Sequence, residues 1–187
     1  MEYRILPAAL LITIAASVSG CATNDTADGV AKCIAPNICL AVRLDGKGEY
    51  SATGSAATGI AFIAIDVAAK RVTLSANIDG IALADLADNL VAAPIGPVHI
   101  HQYADNSVSA LALTFPYGAQ YSERPNGFAL NAVDVDFTER SKLADPAMSF
   151  DAFVAAATAN KLVLNIHTDK FNAGEISGVL ASPSNRK

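Results

Sequence analysis

Three histidines are the residues of this 187-residue chain best suited to metal chemistry. Two occupy Val98-His99-Ile100-His101, where strand alternation puts both imidazoles on one face, about 6.5–7 Å apart at Cα. The third ends the run Leu162-Val163-Leu164-Asn165-Ile166-His167, on the face of Val163 and Asn165. If the two strands are adjacent or face one another, three imidazoles converge, as three-histidine metal sites require. Such a set leaves a dipositive ion uncompensated. Glu175, on the following strand, is the candidate fourth ligand or the partner that fixes a tautomer. Imidazole suits both copper and zinc, so either ion is the candidate cofactor. The same four residues also fit a metal-free reading, in which they form a buried hydrogen-bond network that stabilises strand pairing in a structural or protein-interaction domain. Asp79, Asp85 and Asp88 lack the spacing of a calcium loop and read as a solvated acidic rim. The sequence has no GxSxG, HExxH, P-loop or GxGxxG, which favours a binding module over an enzyme.

The elements that must position these residues read mostly as strands. Residues Thr58 to Val67 are apolar on both alternating faces, and Arg71 to Ile78 turn Val72, Leu74, Ala76 and Ile78 inward, with Asp66 to Lys70 as the hairpin connection. Gly96 to Tyr103, Val108 to Phe115 and Phe128 to Phe137 follow as strands. In the last, Val133, Val135 and Phe137 are expected on one face and Asp134 and Asp136 on the other. Ser149 to Asn160 turns helical, with Phe150, Phe153, Val154 and Ala157 in one stripe. Lys161 to Thr168 and Glu175 to Ala181 return to strand, and Pro116 to Asn126 reads as a long loop. Seven or eight short strands with one short helix near 149–160 predict an all-β fold, an antiparallel β-sandwich or Greek-key barrel.

Composition narrows the class further. A hydrophobic fraction of 52% with a net charge of only -5 excludes a disordered chain. Thirteen basic against eighteen acidic residues, with no basic stripe, argue against nucleic acid as a partner. Residues Ile5 to Val18 form an apolar run too short to span a bilayer and suited to a signal peptide. Its end, Val18-Ser19-Gly20-Cys21, resembles the lipobox of bacterial lipoproteins. That resemblance implies cleavage before Cys21, lipidation of its thiol and amine, and a membrane contact through the anchor alone. Ala22, rather than Asp, after the cysteine favours the outer membrane, facing the periplasm or cell surface. Export would leave Cys33 and Cys39 as one pair in an oxidising compartment, where a disulfide would staple a small loop. The expected organisation is a signal peptide over 1–20, a lipidated cysteine, tether and disulfide loop over 21–40, a β-domain over 41–181 and a polar tail over 182–187.

Two resemblances carry the reading beyond single residues. Asn165-Ile166-His167-Thr168, followed by Gly174-Glu175-Ile176-Ser177-Gly178-Val179-Leu180, resembles the C-terminal signature of the CHRD domain, first described in chordin: N-x-H-T, a short turn, then G-E-I-R-G. Val98-His99-Ile100-His101 matches its central H-I-H, and Leu44-x-Gly46-x-x-Glu49 and Ala57-Thr58-Gly59-x-Ala61 match its opening strands. The helix-like segment from Phe150 to Asn160 matches the family's Leu/Ala-rich stretch. The likeness runs from about Ala41 to Ala181 and implies a β-sandwich-like extracellular domain without implying an activity. Ser177 stands where the family usually has Arg, and Tyr50 and Ser51 where Pro is common. The second likeness is local. Gly96 to Asn106 is similar to the copper-binding strand of Cu/Zn superoxide dismutases, G-F-H-V-H-x-F-G-D-N, which hints at copper or zinc. Three histidines are too few for the binuclear centre of those enzymes, so a dismutase-like copper oxidoreductase is the remotest of the three readings.

Overall fold

A computed structural model describes residues 37–48, 50–104 and 107–183 of the chain. The expected signal peptide and lipobox with Cys21, together with Cys33 and Glu49, lie outside the described residues, as do residues 184–187 of the expected polar tail. Nine strands follow in chain order: β1 (Ile38–Asp45), β2 (Thr58–Asp66), β3 (Arg71–Asp79), β4 (Val98–Ala104), β5 (Ser107–Phe115), β6 (Tyr121–Arg124), β7 (Gly127–Asp136), β8 (Leu162–Ile166) and β9 (Ile176–Val179). Three helices punctuate them: α1 (Asp88–Val91), α2 (Phe137–Ser141) and α3 (Phe150–Thr158). The strands form one curled sheet in the order β5-β4-β8-β9-β1-β2-β3-β7-β6, and every neighbouring pair is antiparallel. The all-β expectation therefore holds as a single curled sheet. Among the described residues no helix is long and apolar enough to cross a membrane.

One face of the sheet supplies the core. Leu40, Val42 and Leu44 of β1, Ala61, Ile63 and Ile65 of β2, and Val72, Leu74, Ala76 and Ile78 of β3 are all buried in one cluster. Val98 and Ile100 of β4 and Leu162, Leu164 and Ile166 of β8 join the same cluster from the far side of the sheet order. Burying each of the Val, Leu and Ile side chains contributes roughly 1.5–3 kcal/mol. The curl brings the two edge strands together, since the Tyr121 hydroxyl of β6 donates to the Phe115 carbonyl of β5 at 2.7 Å. Helix α3 begins where the Ser149 side chain accepts from the Ala152 amide, a cap that satisfies an otherwise orphaned donor. Its Phe150 and Phe153 stack against Phe137 at 5.2 and 4.8 Å between ring centroids, and Phe153 and Ala157 are fully buried.

Three local expectations differ from the structure. The segment expected as a loop from Pro116 to Asn126 contains β6, a four-residue edge strand whose register against β7 is set by the Arg124–Gly127 hairpin. It carries Tyr121-Ser122-Glu123-Arg124, with too few apolar residues to show an alternation. In β7 the alternation breaks. A bulge between Val72 and Leu74 of β3 faces an extra residue in β7, Asp134 takes a left-handed backbone (φ 53°), and its amide donates to Thr73 Oγ1. Val133 is thereby turned out to 72% exposure, and Phe137 opens α2 instead of ending the strand. Both faces of β2 are apolar in sequence, yet only Ala61, Ile63 and Ile65 are fully covered, and Ile60 is exposed.

Candidate metal centre

β4 and β8 lie side by side, with His99 opposite Asn165 and His101 opposite Val163. Val98 and Ile100 go to the core, so the period of two sends both β4 imidazoles to the other face. His167 stands one residue beyond β8. Its amide donates to the Pro97 carbonyl and its carbonyl accepts from the Ala87 amide, which fix it beside the start of β4. That start is itself rigid. Gly96 has φ 71°, and a Cβ there would collide with the Phe115 carbonyl oxygen, so only glycine fits. On its β5 side, β4 slips register after Ile100 and again after Gln102, and bulges of this kind re-aim side chains.

The three rings converge. Ring centroids are 5.7 Å apart for His99 and His101, 4.8 Å for His99 and His167, and 6.2 Å for His101 and His167. One ring nitrogen from each lies within 4.8 Å of the others. A shared ion with bonds near 2.0–2.1 Å would set tetrahedral ligand nitrogens about 3.4 Å apart, so each ring would need to shift by about 0.8 Å at most. The rings are also ready to donate lone pairs. His167 Nδ1 lies 2.8 Å from the Asn172 carbonyl oxygen, which can only accept, so Nδ1 carries the proton and Nε2 is left with its lone pair. His99 Nε2, both nitrogens of His101 and His167 Nε2 are buried and have no hydrogen-bond partner among the described residues. A buried polar atom left in that state costs about 1–3 kcal/mol.

Charge is kept out of this cluster. Burial first, then repulsion from His167 and His101, pushes His99 down to about 3. Backbone hydrogen bonding at Gly96 and Ile95 opposes part of that shift. Burial and then the neighbouring His167 push His101 down to about 4, and burial also lowers His167, against its bond to Asn172. All three are therefore neutral at pH 7, the form that ligates metal. Tyr103 packs next to His101 at 6.2 Å and against Tyr50 at 4.0 Å, walling that side with aromatic carbon.

Glu175 stands apart from the three. Its carboxylate accepts from Ser55 Oγ at 2.6 Å and from Thr168 Oγ1 at 2.7 Å, its carbonyl accepts from Thr53, and its amide donates to Ile166. It clamps Ser55 and Thr53 to the β8–β9 turn and is linked to the histidine cluster through Thr168, the residue after His167. Ser51 Oγ reinforces the clamp by donating to Asn165 Oδ1, while Asn165 Nδ2 donates to the Ala173 carbonyl. The acidic residues of the 79–88 stretch behave as a rim. Asp79 pairs with Arg124, Asp85 accepts from the Ala82 amide, and the Asp88 amide donates to Asp169. Sequence reasoning missed the roles of Tyr103, Tyr50, Ser55 and Thr168. Tyr103 follows His101 by two residues, so the same alternation signals it; nothing local signals Ser55, which arrives from a distant loop. The hydrogen-bond network expected as an alternative to a metal does not link the rings to one another, because their inward nitrogens have no partner among the described residues.

No curated protein and no solved structure matches the chain. A family model does: the CHRD domain, over residues 40–180. The match takes in all of β2 through β9, β1 from Leu40 onward and all three histidines, so the convergence of the H-I-H and N-I-H-T segments lies wholly inside it, and the chain belongs to the CHRD domain family.

Proposed function

We propose that this CHRD domain is an exported metal-binding module that holds one copper or zinc ion at His99, His101 and His167. The observation that carries the reading is the convergence of buried ring nitrogens within 4.8 Å, with no other hydrogen-bond partner among the described residues. Bound metal would satisfy one such nitrogen on each ring, three of the four atoms that otherwise cost stability. The protein's part would be to present three neutral donors on a rigid strand pair, with the Asn172 carbonyl fixing the His167 tautomer. Glu175 organises the loop and turn around the site rather than ligating. Calorimetric titration of the purified chain with Cu²⁺ or Zn²⁺ tests the reading. One-to-one binding tighter than about 10 μM is expected, and its loss in His101→Ala. Weaker binding of every ion, Cu⁺ titrated without oxygen included, or binding indifferent to that substitution, would refute it.

The anchoring belongs to the same proposal. Val18-Ser19-Gly20-Cys21 supports processing to a lipid-bearing Cys21, and Cys33 with Cys39 supports a disulfide ahead of β1 or at its start. The domain would then face the periplasm or the cell surface from the outer membrane. Mass spectrometry of the N-terminal peptide should find acyl chains on Cys21, and the non-reduced digest should contain a Cys33–Cys39 cross-linked peptide. An unmodified Met1 or a free Cys33 thiol would remove the corresponding part.

A further inference from the structure

The surroundings of the three histidines select for ion charge. All three donors are neutral imidazoles, and no Asp, Glu or Cys among the described residues joins them. Their neighbours in the sheet are uncharged as well: His99 lies between Thr114 and Asn165, and His101 between Leu111 and Val163. Glu175 is the one buried carboxylate among the described residues, and both its oxygens already accept hydroxyl hydrogens from Ser55 and Thr168. The aromatic wall of Tyr103 and Tyr50 replaces water on one side of His101 with ring carbon. His99 is 3% exposed.

In such surroundings the charge of the ion matters more than its preferred geometry. The cost of taking an ion out of water rises with the square of its charge, so a dication loses about four times what a monocation of similar size loses. A buried dication is normally offset by carboxylate or thiolate ligands or, at three-histidine zinc sites, by hydroxide from a water in the open fourth position. Here the described donors carry no negative charge. Zinc has no monovalent state to fall back on. Copper does, and Cu⁺, with a filled d shell, accepts three nitrogen donors without demanding a fourth.

We infer that the centre prefers Cu⁺ to both Cu²⁺ and Zn²⁺, an inference that rests on the metal-binding reading above. The purified full chain is titrated without oxygen with Cu⁺ held by a coloured Cu⁺ chelator. Parallel titrations use Cu²⁺ and Zn²⁺, each against its own chelator. Cu⁺ is expected to bind at least about 100-fold more tightly than either dication, with all binding lost in His101→Ala. Dications that bind as tightly as Cu⁺ and still need His101 would overturn the preference and leave the metal centre standing. Failure of every ion to bind more tightly than about 10 μM would remove the centre itself. Asn165→Asp supplies an independent arm, because it places a carboxylate opposite His99 at nearly unchanged volume. It is expected to narrow the gap between Cu⁺ and Zn²⁺ by about tenfold or more. An unchanged ratio in that variant, with the fold intact by circular dichroism, would refute charge as the origin of the preference.

Discussion

The β4–β5 pair and the β3–β7 pair both break register, and the residues at the two breaks meet opposite fates. At the first, His101 is directed toward two other buried rings, with its nitrogens out of water. At the second, Val133 is turned outward to 72% exposure beside Asp134, on the wall of an open groove shared with Pro94, Pro116 and Leu143. The groups around the second break find ordinary partners: Arg71 pairs with Asp136 at 3.5 Å, and Asp134 donates its amide to Thr73. A bulge alone therefore does not make a site. What distinguishes β4 is a neighbouring strand, β8, whose continuation brings a third donor to the same place.

The contrast can be broken most severely by acid. Folded His99 and His101 titrate near 3 and 4, whereas the unfolded chain takes up those protons near 6.5. The unfolded state thus binds more protons throughout that window. Stability of the metal-free protein should fall as pH drops below about 6.5, by up to about 1.4 kcal/mol per pH unit for each such proton, until the folded rings titrate as well. Urea midpoints at pH 7.0, 5.5 and 4.5 measure this. Replacing both histidines by Gln should flatten the curve, and a midpoint that does not move between pH 7.0 and 4.5 would contradict it.

Removal of one donor should come next in size. His167→Ala takes away the ring held by Asn172 and should weaken metal binding by at least about 100-fold, or about 2.7 kcal/mol. Titration of the variant reads this directly, and thermal melts should no longer rise on adding metal. Glu175→Gln separates clamp from ligand. It replaces a charged acceptor with a neutral amide and forces the Ser55 or Thr168 hydroxyl to turn its proton elsewhere, so it should cost about 1–3 kcal/mol of stability while leaving one ion bound per chain. Loss of stoichiometric binding in that variant would make the carboxylate a ligand. The smallest effect is expected at the other break, where Asp134→Gly relieves a left-handed residue and should raise stability by less than about 1 kcal/mol, with metal affinity unchanged.

The residues of the centre were legible because strand period is a local property. His99 and His101 share a face for the same reason that Val98 and Ile100 share the core. That β8 would lie directly beside β4 was legible only as a condition, since strand order is settled by pairing between distant segments. Glu175 marks the limit more sharply. Its place after His167 suggested a fourth ligand or a partner that fixes a tautomer, and nothing local told that its carboxylate accepts from Ser55, 120 residues earlier in the chain. The missed strand β6 and the outward turn of Val133 have a common cause. A four-residue polar edge strand has no hydrophobic pattern to read, and a single extra residue in β7 reverses a pattern that was read correctly up to that point.

Gly96 carries a consequence for how damage to this protein would spread. It offers the metal no ligand, yet any side chain there would meet the Phe115 backbone and push the beginning of β4 away from β5. His99 lies three residues on and His101 five, so both would swing with the strand while His167, held from β8, stayed behind. A screen for variants that lose metal while every histidine is intact should therefore return this position, and an inventory of ligands would overlook it.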